Sequence, residues 1–262
     1  MPRYKIVVEY DGSPFVGWQR QDNGPSVQAA LEAAISAFTG ERTVVCAAGR
    51  TDSGVHALGQ VAHFDLGCDV DAKTIRDATN FHLRPAPVAV LVAEQVDGAF
   101  HARFSATQRH YLYRILNRRS PPAVDRHRVW WVPAQLDAEA MAEAGALLLG
   151  RHDLSTFRAA LCQASSPVKS IDHLTIVRSG ETIAMDIRAR SFLHHQVRNI
   201  AGTLGLVGRG RWSRNDFEAA VAARDRARGG PTAPACGLYL VAVRYDADVA
   251  RSPETAALRG VR

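Results

Sequence analysis

Residues 3–10, RYKIVVEY, alternate polar and apolar side chains around a β-branched centre, the period-two pattern of a strand with one buried face. Asp11-Gly12-Ser13-Pro14 reads as a turn. Ser26 can cap a helix in which Val27, Ala30, Leu31, Ala34, Ile35 and Phe38 recur at helical spacing, and Gly40 ends it. Strand-like runs follow at 43–48 and 59–66, separated by a polar, glycine-bearing loop at 49–57. A helix over 71–83 and a buried strand over 87–96 complete the order β-α-β-β-α-β.

The second half repeats that order. Residues 108–117, QRHYLYRILN, alternate as a strand that Pro121 and Pro122 break off. Asp137 can cap a helix that runs to Leu149 and stops at Gly150. Strands at 169–178 and 182–190 flank Ser179-Gly180, a hairpin signal. A helix is predicted from about Leu193 to Val207, and another from Ser213 with Asp216 at the capping-box position. Residues 237–245, GLYLVAVRY, close as a strand, and a polar tail begins at 246. The doubled order predicts an α+β fold of two ferredoxin-like βαββαβ halves, 1–104 and 105–245, joined through their sheets around a central cleft.

At 262 residues the chain holds about two domains or one large one. Hydrophobic residues at 47% and charged residues at 22% exclude a disordered or collagen-like chain. No apolar run approaches the ~20 residues of a spanning helix, so no membrane association is expected. The segment MPRYKIVVEY lacks the apolar core of a secretory signal, which predicts a cytoplasmic protein. Cysteines at 46, 68, 162 and 236 match no zinc module and read as free thiols.

Charge changes the picture more. Lys and Arg number 32 against 26 acids, and the excess is clustered. Seven arginines (103, 109, 114, 118, 119, 126, 128) face one acid, Asp125, between residues 100 and 128; six face three acids between 208 and 228. Such stretches suit a polyanion as well as they suit a solvated surface.

Candidate chemistry centres on Arg50-Thr51-Asp52-Ser53-Gly54, a polar loop held between two strands. Alone, Asp52 reads as an Asx turn capping its own backbone, but Arg50, His56 and His63 crowd the segment with polar groups a plain hairpin does not need. Tyr111 shares a strand face with Arg109, Tyr113 and Ile115, where an aromatic can either fill a core or stack a nucleobase. In FLHHQVRNI at 192–200, His194 and Arg198 fall four apart on a helix face, and Arg198 is a candidate partner for a buried carboxylate. The histidine pair lacks further convergent ligands for a metal, and the glycines at 202, 205, 208 and 210 follow a helix rather than open one, unlike a P-loop. No metal and no cofactor is expected.

Seven strings in order then carry a resemblance: EYDGSPFVGWQRQ (9–21), SVQAALE (26–32), GRTDSGVHALGQVAHF (49–64), FHARFSATQRHYLY (100–113), DLSTFRA (153–159), FLHHQVRNI (192–200) and GLYLVAV (237–243). The chain resembles TruA-type tRNA pseudouridine synthases along most of its length. The resemblance implies the pseudouridine synthase catalytic fold, a homodimer, and isomerisation of uridine at tRNA positions 38, 39 and 40 in the anticodon stem-loop. It implies that Asp52 is the catalytic nucleophile, acting on the sugar, on the base or on a sugar proton. Tyr111 matches the tyrosine that stacks on the target base and is a candidate to take the proton from carbon 5, and Arg198 matches the basic partner of the aspartate. Leu238 matches an apolar residue of the same pocket, and Arg50 an arginine that holds the extruded nucleotide. Ser53, where alanine is common, and NFHLRPAP at 80–87 depart from the family pattern. A catalytically silent RNA binder and a glycoside hydrolase are the competing readings; the retention of Asp52, Tyr111 and Arg198 disfavours the first, and the lack of a second acid in a comparable loop the second.

Overall fold

A computed structural model of the protein describes residues 1–246; the polar tail expected from 246 lies, from 247 onward, outside the described residues. Strand β1 (Arg3–Tyr10) buries Tyr4, Ile6, Val8 and Tyr10 on one face. Those side chains pack with Val27, Leu31 and Ile35 of helix α1 (Val27–Thr39) and with Ile75 and Leu83 of α2 (Ala72–Leu83). Ser26 caps α1 as predicted, accepting from the Ala29 N–H, whereas Asp71, expected inside the second helix, caps α2 by accepting from the Thr74 N–H. The α1 stripe also buries Glu32, unexpected from its charge. That carboxylate accepts from the Val45 N–H (3.0 Å) and the Gln28 side chain (2.9 Å) and pairs with Arg20, so the charge is compensated.

Strands β2 (Cys46–Ala47), β3 (His56–Asp65) and β4 (Val88–Val96) complete the first half. The second half contains β5 (Ala106–Leu116), β6 (Trp130–Trp131), α3 (Ala138–Ala146), β7 (Gly150–Asp153), β8 (Val168–Ser179), β9 (Thr182–Ala189), α4 (Gln196–Gly208), α5 (Arg214–Ala223) and β10 (Leu238–Tyr245). All ten strands form one sheet, ordered β4-β1-β3-β10-β5-β9-β8-β7, with β2 beside β3 and β6 beside β5. The fold is α+β, with five helices among the described residues. A second core joins Tyr113 and Ile115 of β5 and Ile187 of β9 to Met141 of α3, Ile200 and Leu204 of α4 and Phe217 of α5.

The last strand links the N-terminal strands of the sheet to the C-terminal ones. β10 runs antiparallel to β5 along its length and touches β3 in parallel at two positions only, Tyr239↔His56 and Leu240↔Ala57. This pairing draws His56 and Ala57 out of the expected 49–57 loop and into β3. Three other expectations also shift. The 43–48 strand shrinks to two residues; the 137–149 helix ends at Ala146, with Gly150 (φ 89°) opening the unforeseen β7; and α4 begins at Gln196, leaving His194 and His195 ahead of the helix. The Ser179-Gly180 hairpin forms as expected, with Ser179 opposite Thr182.

Candidate active site

Asp52 sits in the loop between β2 and β3, and its backbone is held from three sides. The Val55 N–H donates to the Asp52 carbonyl (3.1 Å), and the Trp18 N–H donates to the Thr51 carbonyl (3.0 Å). The Tyr10 hydroxyl bonds the Thr51 hydroxyl at 2.8 Å. Residue 17 must be glycine for this approach: its φ is 114°, and a Cβ there would lie 2.7 Å from the Thr51 carbonyl oxygen. This backbone turn, rather than an Asx turn closed by the Asp52 side chain, shapes the loop. The carboxylate is therefore free to face outward, about one-fifth exposed.

Arg198 meets it from the first turn of α4. Nη1 donates to Asp52 Oδ2 at 2.9 Å, and Nε donates to the Ala233 carbonyl at 2.9 Å. The Ala233 N–H returns a bond to the Arg198 carbonyl (3.1 Å), so the 231–233 segment clamps the guanidinium stem. Gly202 allows that crossing, because a Cβ there would stand 1.8 Å from the Pro231 carbonyl oxygen. The glycines after the FLHHQVRNI motif thus include one that serves close backbone packing.

Tyr111, on β5 opposite Leu240 and Ile187, is half-buried and packs edge-on against Phe192, ring centroids 5.1 Å apart. Burial and, after it, the Asp52 charge push its pKa up to about 12. At neutral pH the phenol is therefore protonated. The single-turnover rate should not climb between about pH 8 and pH 10, where a free tyrosine begins to ionise. A rise across that range, lost in Tyr111→Phe, would show a working phenolate.

Leu238 opens β10, buried in a cluster with Val55 and Val197, which flank the Asp52 turn and Arg198. Arg50 is exposed and makes no hydrogen bond or ion pair with the described residues. Asp52, Arg198 and Tyr111 thus converge, Leu238 backs them, and Arg50 stands in solvent two residues away along the chain.

His56 and His63 do not belong to this group. His56 is buried: Nδ1 accepts from the Gly12 N–H (3.1 Å), the opposite nitrogen bonds the His127 carbonyl (2.9 Å), and the ring stacks on Tyr239. His63 accepts from the Ala102 N–H at 3.2 Å. Both are structural joints, and burial lowers the pKa of each.

His194 and His195 do belong, although the motif reading put only Arg198 against the acid. They lie before α4 rather than on it, which corrects the expected His194–Arg198 helix face. Nε2 of His194 is 3.4 Å from Asp52 Oδ1, and Nε2 of His195 is 3.3 Å from Oδ2. Burial lowers the pKa of His195 against the opposing pull of Asp52. Asp52, His194 and His195 each offer one ligand atom within 4.8 Å of the others, a set able to hold a metal ion. The Arg198 guanidinium already supplies positive charge to that carboxylate.

The basic clusters are thinner than the sequence suggested. Arg109 is buried and donates to four backbone carbonyls, those of Ala106, Arg190, Ala48 and Arg103. Arg118 pairs with Glu181 and Arg128 with Asp11, while Arg226 bonds Gly230, Asn199 and Thr232. Arg103, Arg119, Arg126, Arg211, Arg214, Arg224 and Arg228 remain exposed without an ion pair among the described residues.

The family profile described as tRNA pseudouridine synthase matches residues 6–105 and 144–246. A tRNA pseudouridine synthase A of Paramagnetospirillum magneticum is 60% identical over 255 residues, covering 97% of this chain and all of the relative. Relatives of the same description from Maricaulis maris and Brucella ovis are 58% and 57% identical, each covering 94% of this chain and 98% of the relative.

Proposed function

This chain belongs to the tRNA pseudouridine synthase family, and from that premise we propose that it acts on uridines 38, 39 and 40 of the anticodon stem-loop with Asp52 as nucleophile. The family's reaction is the isomerisation of uridine to pseudouridine in tRNA, so the protein is an isomerase. The observation that carries the residue assignment is the 2.9 Å bond between Asp52 and Arg198, joining a strand-held loop to a helix 146 residues away. The apposed guanidinium holds the carboxylate in place beside the pocket, and a carboxylate is a competent nucleophile.

The chemistry balances without a redox partner. The bond from N1 to C1′ breaks, a bond from C5 to C1′ forms, a proton leaves C5 and N1 gains one. Attack on the sugar, attack on the base and removal of a sugar proton all start from the Asp52 carboxylate. A uridine inside a stem must first be extruded. Tyr111 then offers its face to the base, Leu238 backs the pocket, and exposed Arg50 is free to hold the displaced nucleotide.

The sheet order supports the two-half reading. β4-β1-β3 with β2 in the first half, and β10-β5-β9-β8 in the second, each follow the order expected of a ferredoxin-like βαββαβ unit. We take 1–104 and 105–245 as those halves, with the site in the cleft where β3 meets β10. Leu91 and Val92 on edge strand β4, 41% and 48% exposed, favour an apolar contact between two copies, in keeping with a homodimer. No helix among the described residues is long and apolar enough to cross a membrane, and we assign the enzyme to the cytoplasm, where tRNA is processed.

The exposed arginines make binding a phosphate-dominated event. Affinity for an unmodified tRNA transcript should fall about tenfold or more between roughly 50 and 200 mM salt, as filter binding would read. A change under about twofold would leave the basic surface without a role in tRNA capture.

A further inference from the structure

His194 and His195 are consecutive, yet both rings turn to the same carboxylate. Neighbouring side chains on a strand point to opposite faces, and on a helix they lie about 100° apart. Here the backbone of His195 is left-handed, with φ 61° and ψ 4°, and the two rings lie tilted at 41° with centroids 3.9 Å apart. For a residue with a Cβ that conformation costs about 1–2 kcal/mol.

His195 is the third residue of a turn closed by the Gln196 N–H donating to the Leu193 carbonyl (3.1 Å), a position that a glycine would fill without strain. His195 occupies the N-cap of α4, where Ser, Thr, Asp or Asn would bond the exposed helix N–H groups, and its side chain makes no capping bond. The surroundings nevertheless hold the segment in place. The His194 carbonyl accepts from the Ala159 N–H (3.1 Å), the His194 N–H donates to Cys162 Sγ (3.4 Å), and the Leu193 N–H donates to the Gln196 side chain (2.7 Å). Strain held this firmly against a reactive carboxylate points to a role in the reaction.

We propose that His194 and His195 are positioning residues for Asp52, their Nε2–H groups completing with Arg198 a three-donor cradle that aims the carboxylate at the bound nucleotide. The proposal rests on Asp52 being the nucleophile. Arg198 engages Oδ2 alone, which leaves the carboxylate free to swing about its own bonds. His195 adds a second donor at Oδ2, 3.3 Å away, and His194 the single donor at Oδ1, 3.4 Å away. Both nitrogens lie within ion-pair distance but are not aligned as hydrogen bonds here, and catalytic contacts often gain that alignment only when substrate closes the site. Orientation of a reacting group within a fraction of an ångström is what such a cradle contributes to rate.

The test separates a donor role from packing. His195→Leu keeps the bulk and removes the donor; His195→Gln restores a nitrogen donor near the Nε2 position, and both tolerate the left-handed backbone about equally poorly. Single-turnover release of tritium from C5 of uridine in a tRNA transcript should fall about 30-fold in His195→Leu and recover to within about threefold in His195→Gln. Binding of the transcript should stay within about twofold of wild type in both. A wild-type rate in His195→Leu, an equal loss in His195→Gln, or a loss of binding parallel to the loss of rate would each overturn the proposal. The same Leu and Gln pair at His194, whose backbone is not strained, decides the matter should His195→Leu fail to fold. Asp52→Ala runs alongside: turnover by that variant refutes the nucleophile assignment itself, a result distinct from a failure of the cradle.

Discussion

Asp52→Ala should lose turnover by roughly four orders of magnitude or more while binding tRNA nearly as tightly as wild type, the scale expected when a covalent nucleophile is removed. The side chain is the only group at the loop tip able to attack, since Thr51 is spent on Tyr10 and Ser53 on the Phe15 carbonyl. The fold should survive. The loop is held by the Val55–Asp52 and Trp18–Thr51 backbone bonds, which the substitution leaves alone. Arg198 keeps its bond to the Ala233 carbonyl, so the freed guanidinium is neither buried without a partner nor displaced. Binding should persist because the exposed arginines that meet phosphate lie on other segments. Tritium release from C5 beside filter binding, wild type against variant, reads both quantities. If binding falls with turnover while the melting curve is unchanged, Asp52 is a recognition residue and the nucleophile must be sought elsewhere.

The second large effect is at Arg198. Arg198→Met keeps the stem that packs beside Val197 and removes the charge and both side-chain bonds. A hydrogen bond between charged groups contributes about 1.5–3 kcal/mol, so the single-turnover rate should drop by about a hundredfold. Arg198→Lys should recover little of it. One ammonium cannot span the Ala233 carbonyl and Asp52 Oδ2 at once, whereas the guanidinium does so through Nε and Nη1. Affinity for tRNA should change by no more than about threefold, because Arg198 faces the carboxylate rather than the phosphates. A lysine variant as fast as wild type would reduce the pair to a matter of charge alone. A methionine variant as fast as wild type would remove Arg198 from the site.

The individual elements were readable because each is a local pattern. Ser26 and Asp137 cap the helices expected of them, and the Ser179-Gly180 turn joins the expected hairpin. β1 buries alternate residues as its sequence alternates. Asp52, Tyr111 and Arg198 were legible as a set through motif strings rather than through periodicity, which by itself favoured an Asx turn, a core tyrosine and an arginine on a helix face. The geometry then places the three together.

What lay beyond local pattern is whatever depends on a distant partner. His56 reads as a loop residue because nothing nearby shows that β10, arriving more than 180 residues later, will pair with it. Glu32 reads as surface because its charge is compensated by Val45, Gln28 and Arg20 across a fold not yet formed. The basic clusters read as uniform, yet Arg109 is sunk among four carbonyls while Arg126 and Arg211 face water. His194 and His195 are the sharpest case. A left-handed φ in a residue other than glycine has no reliable sequence signature, because the surrounding packing enforces it against the residue's own preference. Periodicity and capping act over a few residues and so are written in the chain, which determined most of the helices and strands, while the motif strings pointed to Asp52. Burial, charge compensation and the aim of a side chain come from groups brought together by folding, and the tertiary structure alone decided those.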